Sequence, residues 1–167
     1  MKFKNLIQTL ETQINIYKEY IEIEKSKTNA VVNSDIIKLD GILSSEEILY
    51  MKSQSYEKKR INIMKSLNLE NKTLLEVIDF AEGKEKDRLS EILEELSFYI
   101  DELKQVNECN KKLVKSRLDI ISAITESFKD PEGKSGKNGG KIKYYGKNAK
   151  IAEQVERFDS SVIRKRI

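Results

Sequence analysis

Few side chains in this 167-residue sequence are suited to catalysis or metal binding. The chain has no His and a single Cys, Cys109, so the commonest general base is missing and a zinc site is not expected. The glycine-rich run at 133–141, GKSGKNGGK, lacks the P-loop spacing, and no strand pattern precedes it. Glu and Lys alternate at helical surface spacing, as in 22–27, which indicates a solvated face. We therefore predict no catalytic residue, no cofactor and no metal: the protein is not an enzyme.

Polar residues that interrupt apolar repeats are more informative. They are Glu24, Glu46, Arg60, Asn107, Asn110 and Arg117. A buried charge without a partner is costly. If the first two helices pair antiparallel about residue 33, Glu24 and Glu46 come within about a turn, with Lys27 between them. We interpret Glu24, Glu46 and Arg60 as polar groups that set the helix register, and the two Asn amides as groups able to grip another chain.

Three long heptad patterns carry these residues. Apolar positions follow steps of four and three from Phe3 to Val31, from Ile36 to Leu67 and from Leu89 to Phe128, a spacing typical of coiled-coil helices.

Local signals divide the patterns into helices. The capping residues at 33–35 predict a turn after the first helix. Gly41 and the capping-box spacing Ser44 to Glu47 predict that the second helix restarts near 45. A second such spacing, Thr73 to Glu76, predicts a short helix that ends near Gly83.

Helix lengths then predict an all-α fold. The first helix, about 30 residues, would reach about 45 Å, whereas a last helix over 84–128 would reach about 67 Å. We expect an antiparallel long-helix hairpin in a three-helix, coiled-coil-like bundle, with a very long last helix. Part of that helix should project with an apolar stripe, which indicates a partner site. Homodimer formation would cover the stripe equally well.

The composition changes near residue 129. Residues 129–167 contain five of the seven glycines, the only proline and a net charge of +6, against −3 for the remainder. We predict a helical domain at 1–128 and a flexible, disordered basic tail at 129–167. No stretch is apolar enough for a membrane span, the N-terminus is too polar for a secretory signal, and a lone Cys fits a reducing compartment. These features predict a cytoplasmic protein without membrane insertion.

The order of several motifs resembles the FlgN-type flagellar export chaperones over essentially the whole chain. The central signature is NECNKKLV at 107–114. The other similar features are Glu24 with Lys27, then Leu39, Glu46 and Arg60, then Tyr145-Gly146 and Phe158-Asp159.

This resemblance implies a cytosolic protein of the flagellar type III secretion pathway. Such chaperones bind the C-terminal helical segments of hook-filament junction (hook-associated) proteins, prevent premature assembly and deliver them to the export gate. The client-binding residues would be Asn107, Asn110, Leu113, Val114, Leu118, Ile121, Ile124 and Phe128. Tyr144 and Tyr145 would dock on the export gate component.

Two other functions fit parts of the sequence. A structural coiled-coil homodimer would use the same apolar stripe. A nucleic-acid-binding protein would use the basic tail, but the acidic body and the absence of a base-reading motif favour no nucleic-acid partner.

Overall fold

The computed structural model describes residues 2–127, which form four helices. They are α1 (Lys4–Val32), α2 (Ile36–Ser66), α3 (Leu74–Ile78) and α4 (Gly83–Ser127). No strand occurs between residues 2 and 127, and the predicted all-α fold with a very long last helix is confirmed. Phe128, Tyr144, Tyr145 and the predicted boundary and tail at 129–167 lie outside the described residues.

The first helix lies between the other two long helices. α2 runs antiparallel to α1, because Lys52 pairs with Glu19 at 3.1 Å and Gln13 donates to Glu57 at 3.1 Å. α4 runs parallel to α1 and therefore antiparallel to α2. Its first turn accepts a hydrogen bond from the Phe3 amide at 3.0 Å. The hairpin is thus antiparallel as predicted, and α1 packs against both neighbours along its length.

Capping residues fix the ends of the helices. Asn33 ends α1, Ser34 has a φ of 56°, and the Asp35 carboxylate accepts the Lys38 amide at 2.9 Å. The predicted turn at 33–35 is confirmed. Thr73 and Glu76 form the predicted capping box at the start of α3. The backbone amide and hydroxyl of Thr73, together with Lys72, lower the Glu76 pKa to about 2.

The predicted interruption of the second helix is wrong. α2 is continuous from Ile36 to Ser66, with Gly41 inside it, and Ser44 donates to the Asp40 carbonyl at 3.2 Å instead of capping a new helix. A helical Gly costs only about 1 kcal/mol relative to Ala. Burial of Ile42 and Leu49 on the same face stabilises the helix by more than this cost.

Two apolar clusters form the core. The larger one joins the beginning of α1 and α4 to α3 and the end of α2, and the smaller one joins Ile16, Tyr20, Ile21, Leu49 and Leu103. Leu6, Ile16 and Tyr20 lie outside the heptad seam predicted for α1, and they are buried because α1 contacts two helices. Leu103 is the last buried apolar residue of α4 among those described. The 24 residues of α4 that follow Leu103 therefore extend beyond the core.

Candidate functional site

A buried polar cluster joins the three long helices just beyond the apolar core. We call it the polar junction, and it consists of Glu24, Lys27, Glu46, Asn107 and Asn110. Lys27 lies between the two carboxylates: its Nζ is 2.8 Å from Glu24 Oε1 and contacts Glu46 Oε1. Glu24 is only 2% exposed and Lys27 only 4%. The predicted meeting of Glu24, Lys27 and Glu46 is confirmed.

The two amides of α4 complete the polar junction. Asn110 Nδ2 donates to Glu24 Oε2 at 2.6 Å and to the Glu24 carbonyl at 2.9 Å, while its Oδ1 accepts from Thr28 at 2.6 Å. With its amide nitrogen turned toward α1, Asn107 donates to both Glu24 carboxylate oxygens at 2.9 and 3.1 Å. Both amides therefore bind α1 of the same chain. Asn110 is only 2% exposed. Its side chain could contact another chain only if α1 and α4 separated at this level.

The electrostatics of the polar junction follow from burial. Burial raises the pKa of Glu46 to about 8, with a further contribution from its hydrogen bond to Glu24, against the opposing effect of Lys27. Burial also acts to raise the pKa of Glu24, but hydrogen bonds with Glu46, Lys27 and Asn110 and the Lys27 charge hold that pKa below its usual value. The environment therefore favours the charged carboxylate on Glu24, which pairs with Lys27, and the protonated carboxyl on Glu46.

The third predicted register residue, Arg60, lies in a separate polar group far along α2. Its guanidinium donates twice to Glu57, at 2.8 and 3.0 Å. Gln13 of α1 donates to the same carboxylate, so the link between helices passes through Glu57. Burial, with the nearby Glu57 charge, raises the pKa of Tyr17 to about 12. Gln13 and Glu57 were not predicted from the sequence, since Gln13 falls outside the single heptad seam assigned to α1.

Beyond the polar junction, α4 presents the apolar face predicted to bind a partner. We call it the projecting stripe: Leu113, Val114, Leu118, Ile121 and Ile124. The first three are half-buried, and Ile121 and Ile124 are 54% and 51% exposed. Arg117 donates to the carbonyl of Val32, the last residue of α1, at 2.7 Å. The part of α4 after Arg117 therefore lies past the end of α1, as the helix lengths predicted.

Further apolar residues near the projecting stripe are exposed and were not predicted from the sequence. Ile120 is half exposed on α4. Val32, Ile36 and Ile37 are exposed at the tip of the α1–α2 hairpin, next to Arg117 through its bond to Val32. Placing Ile36 in the buried seam of the second helix was wrong, because it is 74% exposed. The adjacent pair Ile36-Ile37, directly after the capping Asp35, was the signal for this surface, since two neighbouring helical residues cannot both face one narrow seam.

Residues 2–127 contain no group of three or more His, Cys, Asp or Glu side chains placed to hold a metal ion. None of the four helices combines the length and apolar character needed to cross a membrane.

Comparisons with known proteins agree with the geometry. The family model described as "FlgN protein" matches residues 1–153. The chain is 28% identical over 124 residues to "Uncharacterized protein YvyG" of Bacillus subtilis (strain 168), and the match covers 73% of this chain and 78% of that protein. No solved structure matches. The family match includes all four helices that the structure describes, and this chain belongs to the FlgN protein family.

Proposed function

We propose that this protein is a cytoplasmic flagellar export chaperone that binds the C-terminal helical segments of hook-filament junction (hook-associated) proteins. It prevents their premature assembly and delivers them to the export gate. The observation that carries the proposal is the projecting stripe, an apolar helix face left exposed past the end of α1 in a member of the FlgN family.

The projecting stripe suits an amphipathic helix bound in the helix-in-groove mode. Ile121 and Ile124 would contact the apolar face of the client, beside half-buried Leu118. The hairpin tip, with Val32 and Ile36, would form a second wall. Each large apolar side chain buried on binding contributes roughly 1.5–3 kcal/mol before ordering costs are subtracted. A few such contacts suffice for micromolar affinity, which permits release at the export gate.

The remaining proposed contacts divide into two groups. Leu113, Val114 and Phe128 extend the client surface along α4, and Asn107 and Asn110 would add to it only where α1 and α4 separate. Tyr144 and Tyr145 would dock on the export gate component, a role supported by the resemblance of the Tyr-Gly motif to the family pattern.

A titration tests the proposal directly. The full chain is titrated calorimetrically with a peptide spanning the C-terminal segment of a hook-filament junction protein, and we expect a dissociation constant in the micromolar range. The same peptide with its apolar face replaced by Ser is the control and should not bind. Absence of binding by a folded chain would contradict the proposal. A stable dimer in sedimentation would then favour the structural coiled coil, and salt-sensitive binding of a DNA duplex would favour the nucleic-acid function.

A further inference from the structure

The sequence beyond the described residues contains a second amphipathic pattern. Ile151, Val155, Phe158 and Val162 follow steps of four, three and four, the spacing of one apolar helix face. Between these positions lie three acidic residues, Glu153, Glu156 and Asp159, against one basic residue. Segment 151–162 therefore carries a net charge of −2 beside an apolar face, within a tail that is otherwise strongly basic.

The surface beside the projecting stripe has the opposite charge. Lys111 and Lys115 are exposed on α4 at positions that adjoin Leu118, and residues 111–119 carry a net charge of +3. Within the stripe, Ile121 and Ile124 expose about half of their surface. An apolar face flanked by acidic groups is thus complementary to this surface both in hydrophobic contact and in charge.

The connection between the two surfaces is long enough for them to meet within one chain. Residues 128–150 provide 23 residues after Ser127, and a random coil of that length would span on average about 25–30 Å. The middle of the projecting stripe lies only about 10–15 Å back along α4 from Ser127. A segment tethered in this way has an effective concentration on the order of millimolar, so contact within the chain is favoured over contact with a second copy.

We propose that segment 151–162 docks as an amphipathic helix along the projecting stripe of its own chain. Its apolar face contacts Leu118, Ile121 and Ile124, and its acidic residues face Lys111 and Lys115. The regulatory consequence rests on the proposed function: the docked segment competes with the client, and a client helix of higher affinity displaces it. The export chaperone would then present its tail only after the client occupies α4.

Paramagnetic NMR on the full chain tests the docking without a client. Cys109 is the only cysteine of the chain and is exposed, so a nitroxide can be attached there, about 14 Å along α4 from Leu118. We expect broadening of the amide signals of 151–162. The broadening should be lost in a Val155→Asp, Phe158→Asp double variant and in Ile121→Asp. A Ser160→Asp, Ser161→Asp variant adds the same two charges away from the apolar face and should keep it.

Each other outcome overturns the docking. Equal broadening in the wild type and in the Val155→Asp, Phe158→Asp variant would mean that only the tether brings the segment near Cys109. Broadening between spin-labelled and isotope-labelled molecules in a mixed sample, but not within one molecule, would assign the stripe to a second copy.

Client titration then tests the competition separately. The Val155→Asp, Phe158→Asp variant should bind the client peptide about tenfold more tightly than the wild type. This factor applies if the dissociation constant of the segment for the stripe is roughly ten times lower than the effective concentration of the tethered segment. Unchanged client affinity would overturn the competition. If no variant binds the peptide while the broadening is present, the proposed function fails and the docking stands.

Discussion

Asn110 and Glu24 connect the last helix to the first through a buried hydrogen bond of 2.6 Å. The bond lies between the last buried apolar residue described on α4, Leu103, and the first residue of the projecting stripe, Leu113. Because Glu24 is charged and buried, the amide also satisfies a group that would be costly to leave without partners. The polar junction therefore lies between the buried apolar part of α4 and the part whose apolar side chains are half-buried or exposed.

Loss of this amide should weaken the fold. Asn110→Ala removes hydrogen bonds to a buried carboxylate, and we expect the free energy of unfolding to fall by about 2–3 kcal/mol. Urea unfolding followed by circular dichroism measures the change. Asn62→Ala, at an exposed position of α2, is the control and should change stability by no more than about 0.5 kcal/mol. Equal effects of the two substitutions would mean that Asn110 does not support the α1–α4 contact.

Much of the fold could be predicted because local signals and the heptad pattern agree. The cap at Asp35, the capping box at Thr73 and the meeting of Lys27 with Glu24 and Glu46 all follow from short-range chemistry and one antiparallel pairing. Gly41 was misleading because the weak local preference of a glycine was opposed by the burial of Ile42 and Leu49 on one face of α2. The internal role of Asn110 could not be predicted, since it depends on which helix α4 contacts at that level.

The stability of the fold should fall as pH rises through the range in which Glu46 titrates. Its pKa is raised by burial to about 8, so the folded state holds a proton that the unfolded state releases near the ordinary pKa of 4.5. The stabilisation is full below that value and is lost as pH rises through about 8. Glu24 and Glu76 have lowered pKa values, so their titration changes the stability only in more acidic solution. We therefore expect a lower melting temperature at about pH 9 than at about pH 5.

The variant Glu46→Gln isolates this contribution. The amide keeps the size and hydrogen bonding of the protonated carboxyl but does not titrate. The decrease in melting temperature from about pH 5 to about pH 9 should therefore become smaller in this variant. Differential scanning calorimetry at several pH values measures this decrease. A wild-type protein that is more stable in the alkaline solution, or a Gln variant with an unchanged slope, would contradict the assignment of the proton to Glu46.

The two glycines that the structure describes should respond oppositely to alanine. Gly41 lies inside α2, and an added Cβ would meet no atom within 4 Å, so Gly41→Ala should raise the free energy of unfolding by about 0.5–1 kcal/mol through better helix propensity. Gly83 has a φ of +53°, and Gly83→Ala should lower stability by about 1–2 kcal/mol. Chemical denaturation measures both. Destabilisation by Gly41→Ala would indicate that α2 bends or opens at this position in solution.

Substitutions at two positions of α4 should distinguish a binding surface from the folding core. Ile121 is 54% exposed, so Ile121→Asp should leave the melting temperature nearly unchanged. Leu89 is 0% exposed on the same helix, and Leu89→Ala should cost about 2–5 kcal/mol. Client affinity should fall at least tenfold in Ile121→Asp, which corresponds to only about 1.4 kcal/mol of binding free energy.

A matched substitution and two measurements complete this test. Ser122→Asp places the same charge on the neighbouring exposed residue, outside the projecting stripe, and should retain client affinity. Calorimetric melting and peptide titration are performed on each variant. A large fall in melting temperature for Ile121→Asp would assign this face to the core, as expected if a second copy covers it. Unchanged melting together with unchanged affinity would mean that the client binds elsewhere, and the hairpin tip at Val32, Ile36 and Ile37 would be the next surface to substitute, because it is the exposed apolar surface adjoining α4 through Arg117.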